Sequence, residues 1–432
     1  MSLLRLPRAV PALRRSYATA ANVAEAAGVK VVGIENGSRP STTSVTVAIR
    51  AGSRYETTPG VANVLKNFAF KSTAAGSPLR TVRETELYGG VLSTAVSREH
   101  IFLTAEFLRG DEAHFLPLLA SVLSSTQFLA HEYSELVLPT VQGEALAAAA
   151  DPVAAAIDTA HQVAFRRGLG NSIYAEPTSP VTLDAVKQYA KAAFAKSNIA
   201  VIGQGISTEA LAAAVESTFG GEGAGASSLA TPASQYFGGE ARIAFDSHAN
   251  PTAQPTLVIA YGAAGAATPE LSVLPHLLGG ESSLKWAPGT SPLAQAAAKI
   301  PGASVRSFLT GYTDASLFGV VVSAPTAEAV RSLATEVAAA IKGAAAGVKD
   351  DELKRAVAKA KFAEATKLET ADSLVAAVTP AVFGNATLDV ASFDALSAAA
   401  VTKAASTLFS AKPTVVAVGN THVLPYADEL GL

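Results

Sequence analysis

Cysteine is absent from the 432 residues of this chain, and only 16% of them are charged. The lack of cysteine excludes disulfides, iron–sulfur ligation, thiol catalysis and zinc sites built on thiolates. The formal net charge of −3 gives no sign of a nucleic-acid-binding surface. No apolar run reaches the roughly 20 residues that a transmembrane helix needs. The composition therefore predicts a globular protein without thiol chemistry, nucleic-acid partners or membrane spans.

Charge is scarce, whereas hydrophobic residues make up 49% of the chain. A chain of this length can bury the cores of two or more domains. Many of its apolar stretches are rich in alanine and broken by charge, as in residues 144–151 and 398–403. Helices with so few charged groups suit burial against another protein, so the composition favours membership of a permanent complex.

Motifs of several enzyme classes are also missing. None of the seven histidines lies three or four residues from another, so no helical face pairs two imidazoles for a metal. The loops at residues 279–283 and 286–289 contain glycine but lack the spacing of a phosphate-binding or dinucleotide-binding loop. No Gly-x-Ser-x-Gly elbow occurs. The sequence therefore gives no support for a nucleotide-dependent enzyme or a serine hydrolase.

The first residues form a module of their own. Residues 1–24 contain four arginines and no acidic residue. This composition is typical of a mitochondrial presequence, whose basic helix lacks the long apolar core of a secretory signal. Arg15 stands two residues before Tyr17, which predicts a presequence of residues 1–17 and cleavage between Tyr17 and Ala18. A disordered basic tail is the alternative interpretation.

The rest of the chain is predicted to be duplicated. The strand-like residues 45–52 end in a glycine and precede the Thr-Pro pair at 58–59. Residues 257–262 likewise end in a glycine and precede the Thr-Pro pair at 268–269, and both features recur at a spacing of 210. Each half also ends in a helix followed by a strand rich in β-branched residues, at residues 185–203 and 400–419. Because the matches occur in the same order, they indicate a repeated structural unit.

The pattern of elements predicts two α+β domains. Neighbouring strands at residues 91–96 and 101–107, followed by long helices, indicate a mostly antiparallel sheet with helices packed on one face. The glycine and serine residues within 219–238 predict a linker. We therefore expect an N-terminal domain at residues 18–218 and a C-terminal domain at residues 239–432.

One predicted helix is especially informative about function. Residues 61–68 form an amphipathic pattern, with Asn63, Lys66 and Asn67 on the polar face. From this pattern alone, the three side chains are expected to be exposed to solvent. The segment nevertheless resembles the helix that carries His-x-x-Glu-His in the mitochondrial processing peptidase family of zinc peptidases. In that family two imidazoles of one helix face hold zinc, and the glutamate activates a water molecule.

The resemblance implies that the metal site of this family has been lost. Asn63 and Asn67 stand at the two histidine positions, and Lys66 stands at the glutamate position. Glu144 falls where the family places its third zinc ligand. One carboxylate does not replace three protein ligands, and a lysine ammonium neither attracts a dication nor accepts a proton. Neither a catalytic residue nor a bound metal is therefore expected.

The second half gives the same indication. Active relatives in this family bind the substrate carbonyl through an arginine and a tyrosine, in a segment similar to residues 293–305. Here Pro301 occupies the arginine position and Val305 the tyrosine position. Neither side chain can donate a hydrogen bond to a developing oxyanion. The resemblance thus implies an inactive relative, whose two domains of the processing-peptidase type face each other around a cavity.

A loop in the second half indicates one branch of the family. Residues 277–293 contain Gly-Gly-x-Ser-Ser, followed by Lys-Trp and by Pro-Gly-x-Ser. This loop resembles that of the fungal core subunits of ubiquinol–cytochrome c reductase, which are non-catalytic members. The likeness extends from about residue 29 to Leu432. It implies a structural subunit, peripheral to the mitochondrial inner membrane on its matrix side, within a dimeric complex.

The same resemblance implies a set of protein partners. They are core protein 1, cytochrome b, cytochrome c1 and the iron–sulfur protein, while the chain itself is expected to bind no cofactor, neither haem nor quinone. The alternative is the alpha subunit of the processing peptidase, a non-catalytic member that binds presequences. Residues 277–293 do not resemble the extended glycine-rich loop of that subunit.

Overall fold

The computed structural model describes residues 23–35, 41–176, 181–220, 229, 231–245, 250, 253–281, 287, 289–385 and 390–432. The predicted presequence and its processing site at Tyr17 and Ala18 lie outside the described residues. Residues 221–228 of the predicted linker and residues 282–286 of the loop that resembles the core subunits also lie outside them. The presequence, the linker and this loop therefore stay predictions.

Strands in the described residues form two sheets. Many of these strands are rich in valine, isoleucine and threonine, whose branched side chains suit an extended backbone. The strands of the first sheet are β1 (Ala24–Ala26), β2 (Val29–Ile34), β3 (Thr42–Ile49), β4 (Val91–Val96), β5 (Ile101–Leu108) and β6 (Ile199–Gln204). Those of the second sheet are β7 (Gly239–Ala244), β8 (Thr256–Ala264), β9 (Ser304–Gly311), β10 (Ala315–Ser323) and β11 (Thr414–Gly419).

Helices are distributed over both halves of the chain. In the first half they are α1 (Val61–Phe68), α2 (Pro78–Leu87), α3 (Glu112–Ser125), α4 (Ala130–Glu132), α5 (Leu138–Ala150), α6 (Pro152–Phe165), α7 (Leu183–Ala193) and α8 (Thr208–Phe219). In the second half they are α9 (Pro269–Leu278), α10 (Pro292–Ala297), α11 (Ala327–Ala346), α12 (Asp350–Thr366), α13 (Ala371–Val382) and α14 (Ala398–Phe409). None of the described helices combines the length and apolarity needed to cross a membrane.

The two sheets share one topology. The order β2-β6-β3-β5-β4 in the first sheet corresponds to β7-β11-β8-β10-β9 in the second. In each sheet the first of these neighbouring pairs is parallel and the others are antiparallel. The first sheet has one additional strand, β1, at its edge. The predicted α+β fold with two similar halves is therefore confirmed.

One face of each sheet packs against helices of its own half. In the first half, Phe68 of α1 and Leu119 of α3 are buried against the sheet strands in one core. In the second half, Leu274 of α9 and Leu333 of α11 belong to the equivalent core. This arrangement confirms the predicted layer of helices on one face of each sheet.

The opposite face of the second sheet is covered by α6, a helix from the first half. Ala156, Ala160 and Ala164 of α6 share a buried cluster with Val258 of β8 and Leu317 of β10. Their four-residue spacing puts the three small side chains on one side of the helix. Because alanine is small, this side of α6 can lie close to the sheet.

The opposite face of the first sheet is covered in the same way by α13, a helix from the second half. Leu374, Val375 and Val378 of α13 are buried together with Val32 of β2 and Ile202 of β6. The halves therefore exchange one helix each, and both sheets are covered on two faces. The sequence pattern predicts helices on one face of each sheet only, and this exchange adds the second face.

Candidate functional site

Glu56 and Gly60 fix the beginning of α1. The carboxylate of Glu56 accepts hydrogen bonds from the backbone N–H groups of Gly60 at 3.0 Å and Ala62 at 2.9 Å. The φ angle of Gly60 is 84°, in the left-handed region that favours glycine. A Cβ atom at this position would lie 2.4 Å from the Cβ of Ala175. Glycine therefore both permits the turn and allows the chain to pass close to Ala175.

The polar face of α1 is buried together with its apolar face. Val64 and Phe68 lie in the core of the first half, as the predicted apolar stripe requires. Asn63 and Lys66 are also buried, with only 1% and 8% of their surfaces exposed. The expectation that these polar side chains face solvent is therefore wrong. The reason is tertiary: α5 packs against α1 and presents a carboxylate to its polar face.

Glu144 of α5 accepts hydrogen bonds from all three polar side chains of α1. Lys66 Nζ donates to Glu144 Oε1 at 2.6 Å. Asn63 Nδ2 and Asn67 Nδ2 donate to Oε2 at 2.9 and 3.3 Å. The structure thus brings together the four residues that the sequence comparison aligns with the zinc-site positions of the processing peptidase family.

The charge of Glu144 is matched by that of Lys66. Burial raises the pKa of Glu144, but the hydrogen bonds from Lys66 and Asn63 outweigh burial and leave the pKa below its ordinary value. The side chain of Glu144 is 31% exposed and that of Lys66 is 9% exposed. The pair is therefore a largely buried carboxylate–ammonium bridge between α5 and α1.

The residues around Glu144 do not fit a zinc ion. Asn63 and Asn67 direct amide nitrogens, which are hydrogen-bond donors, at the carboxylate. Lys66 adds a positive charge at 2.6 Å, which opposes a dication at the same oxygen. Across the described part of the chain, no group of three or more His, Cys, Asp or Glu residues is placed to hold a metal ion.

The two aligned positions in the second half lie in different surroundings. Pro301 is exposed in the turn between α10 and β9. Val305 is fully buried on β9, where it pairs with Val322 of β10 and belongs to the core of the second half. Val305 therefore contributes apolar packing, and its side chain has no polar atom to offer a substrate.

A polar cluster that was not predicted joins the two halves. This interdomain cluster consists of Arg54, Arg98, Glu99, Asp158, His161, Tyr312 and Asp314. The guanidinium of Arg54 lies between two carboxylates, with nitrogen–oxygen distances of 2.7 Å to both Glu99 and Asp314. Asp314 also accepts a hydrogen bond from the backbone N–H of Ser234 at 2.8 Å, and Glu99 accepts one from that of Thr313 at 3.1 Å.

Helix α6 contributes two further members of the interdomain cluster. Arg98 Nη2 lies 2.6 Å from Asp158 Oδ1. The Nδ1 atom of His161 lies 2.8 Å from the backbone oxygen of Ile157, and its Nε2 lies 2.8 Å from the hydroxyl of Tyr312. Burial, together with the charge of Arg98, lowers the pKa of His161 to about 3. The ring is therefore neutral, with Nδ1 as donor and Nε2 as acceptor.

Sequence reasoning missed the interdomain cluster because its members are far apart in the chain. Arg54 and Asp314 are separated by 260 positions, and no periodic pattern relates them. One signal was available: Arg54 follows the first strand of one duplicated segment, and Asp314 directly precedes β10 in the other half. Charged residues at strand ends stand out in a chain with so little charge.

Two family models match the chain. Residues 31–177 match the model described as insulinase (peptidase family M16), and residues 180–360 match the peptidase M16 inactive domain. The first match contains the Lys66–Glu144 bridge, and the second contains Pro301 and Val305. The second match begins within the first half, before α7 and β6, and ends within α12 of the second half.

Similar proteins extend over the full length of the chain. The mitochondrial cytochrome b-c1 complex subunit 2 of Cryptococcus neoformans var. grubii is 57% identical, with 100% of both chains covered. The subunit 2 of Yarrowia lipolytica is 37% identical over 98% of this chain and 100% of its own length. The subunit 2 of Homo sapiens is 26% identical over 93% of this chain and 90% of its own length.

A solved structure shares the fold. A chain of complex III2 from Candida albicans, determined with Inz-5 bound, has a TM-score of 0.80 at 18% identity. The match covers 95% of this chain and 99% of that one. The predicted resemblance to the core subunits is confirmed by the full-length sequence similarity. The chain therefore belongs to the cytochrome b-c1 complex subunit 2 family, within the larger group of M16 peptidases and their inactive relatives.

Proposed function

We propose that this chain is the non-catalytic core subunit 2 of mitochondrial respiratory complex III, ubiquinol–cytochrome c reductase, and supports the assembly and stability of that complex. The observation that carries the proposal is the bridge between Lys66 and Glu144, which puts an ammonium against the carboxylate that aligns with a zinc ligand in peptidases of this family. The full-length similarity to the subunit 2 proteins of C. neoformans and Y. lipolytica supports the same role.

In this role, Asn63, Lys66 and Asn67 of α1 replace the zinc-site residues of active relatives. Glu144 keeps the residue type of the third zinc ligand but is expected to bind no metal. Pro301 and Val305 stand where active relatives hold an arginine and a tyrosine. Zinc ligands, general base and oxyanion partners act as a unit in such enzymes, so the loss of several leaves little catalysis. What remains is a pair of packed domains that can support partner proteins.

The remaining sequence predictions complete the proposal. Cleavage between Tyr17 and Ala18 removes the presequence. The mature chain then consists of a peptidase-like domain at residues 18–218, a linker at 219–238 and a second peptidase-like domain at 239–432. It lies on the matrix side of the inner membrane as a peripheral subunit of a dimeric complex. Its partners are core protein 1, cytochrome b, cytochrome c1 and the iron–sulfur protein.

Separation of detergent-solubilised mitochondrial complexes under native conditions tests this assignment. We expect the chain to migrate in the same complex as cytochrome b, which is detected by its absorption spectrum. We expect the N-terminal residue of the chain to be Ala18. A chain that separates from cytochrome b and captures presequence peptides is instead the alpha subunit of the processing peptidase. The relatives and the solved structure described above give no support to that alternative.

A cleavage assay tests the absence of enzymatic activity. The purified chain is expected to leave a presequence peptide intact under conditions in which an active zinc peptidase of the same family cleaves it. Zinc in a one-to-one ratio with the chain, together with peptide cleavage that a chelator stops, would contradict the proposed function.

A further inference from the structure

Lys66 is not placed like an ordinary surface lysine. Its side chain is 9% exposed, whereas the lysine side chains that pair with Glu336 and Glu352 elsewhere are 61% and 84% exposed. Its Nζ atom lies 2.6 Å from Glu144 Oε1. A buried charge without a partner is strongly destabilising, so Lys66 and Glu144 depend on each other.

The two asparagines complete the arrangement. Lys66 donates to one oxygen of Glu144, while Asn63 and Asn67 donate to the other. All three donors lie at positions i, i+3 and i+4 of one helix and therefore share a face. In a zinc site of this family, acceptors on the helix and a distant carboxylate meet at a cation. Here donors on the helix meet directly at the carboxylate.

We propose that the ammonium of Lys66 has replaced the metal ion as the positive charge that holds Glu144 against α1. Asn63, Lys66, Asn67 and Glu144 thus form a metal-independent cross-link between α1 and α5. This proposal rests on the proposed function, which aligns these four residues with the zinc-site positions. It goes further in giving the cluster a present role in holding two helices together, and in making Lys66 a barrier to metal binding.

A double-mutant cycle tests the cross-link in the full-length chain. Lys66→Met and Glu144→Gln are each expected to lower the melting temperature by several degrees, because each leaves its former partner with reduced compensation. The decrease in melting temperature of the double variant is expected to be smaller than the sum of the two single decreases, since neither charge is then left alone. The matched control is the exposed pair of Arg80 and Glu84, whose equivalent changes are expected to leave the melting temperature unchanged. Strictly additive losses at Lys66 and Glu144 would overturn the cross-link.

Zinc binding tests whether Lys66 excludes a metal. The variant N63H/N67H restores both imidazoles beside Glu144 and keeps the lysine, while N63H/K66A/N67H removes the lysine as well. In equilibrium dialysis, the variant that keeps Lys66 is expected to bind Zn²⁺ at least roughly tenfold more weakly than the variant without it, because its ammonium repels the ion. Co²⁺ absorption bands of a tetrahedral site are expected only for the variant without the lysine.

Two outcomes of the metal experiment separate the two proposals. Equal zinc affinity in both variants overturns the barrier role of Lys66 and leaves the proposed function intact. Zinc in the unmodified chain, with peptide cleavage, overturns the proposed function itself. If the histidine variants do not fold, the double-mutant cycle on the native cluster still decides whether Lys66 and Glu144 form the cross-link.

Discussion

The guanidinium of Arg54, which follows the third strand of the first sheet, lies 2.7 Å from the carboxylate of Asp314, which precedes β10 of the second sheet. The same guanidinium reaches Glu99 in its own half at 2.7 Å. The side chains of Arg54 and Glu99 are 6% and 10% exposed and that of Asp314 is 28% exposed, so the two contacts are largely shielded from water. One side chain thereby connects the two halves and compensates a carboxylate from each.

Arg54→Leu is expected to destabilise the chain by about 3 kcal/mol. The change leaves Glu99 and Asp314 close together without their shared cation, and breaking a buried ion pair from one side is costly. The control is Arg80→Leu, since Arg80 is 63% exposed in its pair with Glu84 and is expected to change stability by less than about 1 kcal/mol. Thermal unfolding of the two variants compares the effects, and equal small losses would contradict the prediction.

The neutral His161 is expected to make stability depend on pH. Its folded pKa is about 3, whereas the pKa of an unfolded histidine is near ~6.5. Between these values the unfolded chain binds a proton that the folded chain does not. The free energy of unfolding is therefore unaffected by this group above pH ~6.5 and decreases as the pH falls below that value. His161→Gln keeps an uncharged polar group and is expected to flatten this decline between about pH 7 and pH 5. Unfolding in urea at each pH measures the effect.

His100 provides the comparison for His161. Burial also lowers its pKa, to about 4, and its ring stacks on Phe383 at 5.3 Å. His100→Gln is therefore expected to remove a second, separate part of the loss of stability at low pH. An unchanged pH profile in the variant with both substitutions would show that the folded chain lowers the pKa of neither histidine.

Gly60→Ala is expected to lower stability more than replacement of a left-handed glycine usually does. Its φ of 84° strains any other residue by about 1–2 kcal/mol, and the new methyl group would also meet Ala175 at 2.4 Å. Gly89→Ala is the matched control, because Gly89 has a φ of 65° but no heavy atom within 4 Å of its built Cβ. Comparison of their melting temperatures isolates the contact with Ala175. Equal losses would contradict it.

Leu374→Ala in α13 is expected to destabilise the first sheet, although the residue belongs to the second half. Leu374 is 2% exposed and packs in the cluster that contains Val32 and Ile202. Loss of a buried leucine side chain typically costs about 2–5 kcal/mol. Phe362→Ala on the preceding helix is the control, since Phe362 is 73% exposed. Limited proteolysis is expected to open cleavage sites in the first half for the Leu374 variant only.

The sequence predicts the elements of this fold better than the contacts between them. Strands such as β3 and β8 follow from short runs of apolar and β-branched residues, and their repetition reveals two similar halves. The burial of Lys66 does not follow from local pattern, because it depends on a carboxylate that α5 brings from elsewhere. The pairing of Arg54 with Asp314 likewise requires the assembled halves. Family resemblance aligned Glu144 with the residues of α1, but it did not predict that they bind one another.

The reciprocal placement of α6 and α13 makes the cover of each sheet depend on the other half of the chain. A chain that emerges from its N-terminus completes the strands of the first sheet at Gln204, but the helix that covers the open face of that sheet ends only at Val382. During this interval Val32, Ala48 and Ile202 present an apolar surface to the surroundings. Partly folded chains with exposed apolar surface aggregate readily, so we expect the first half on its own to aggregate more than the full chain.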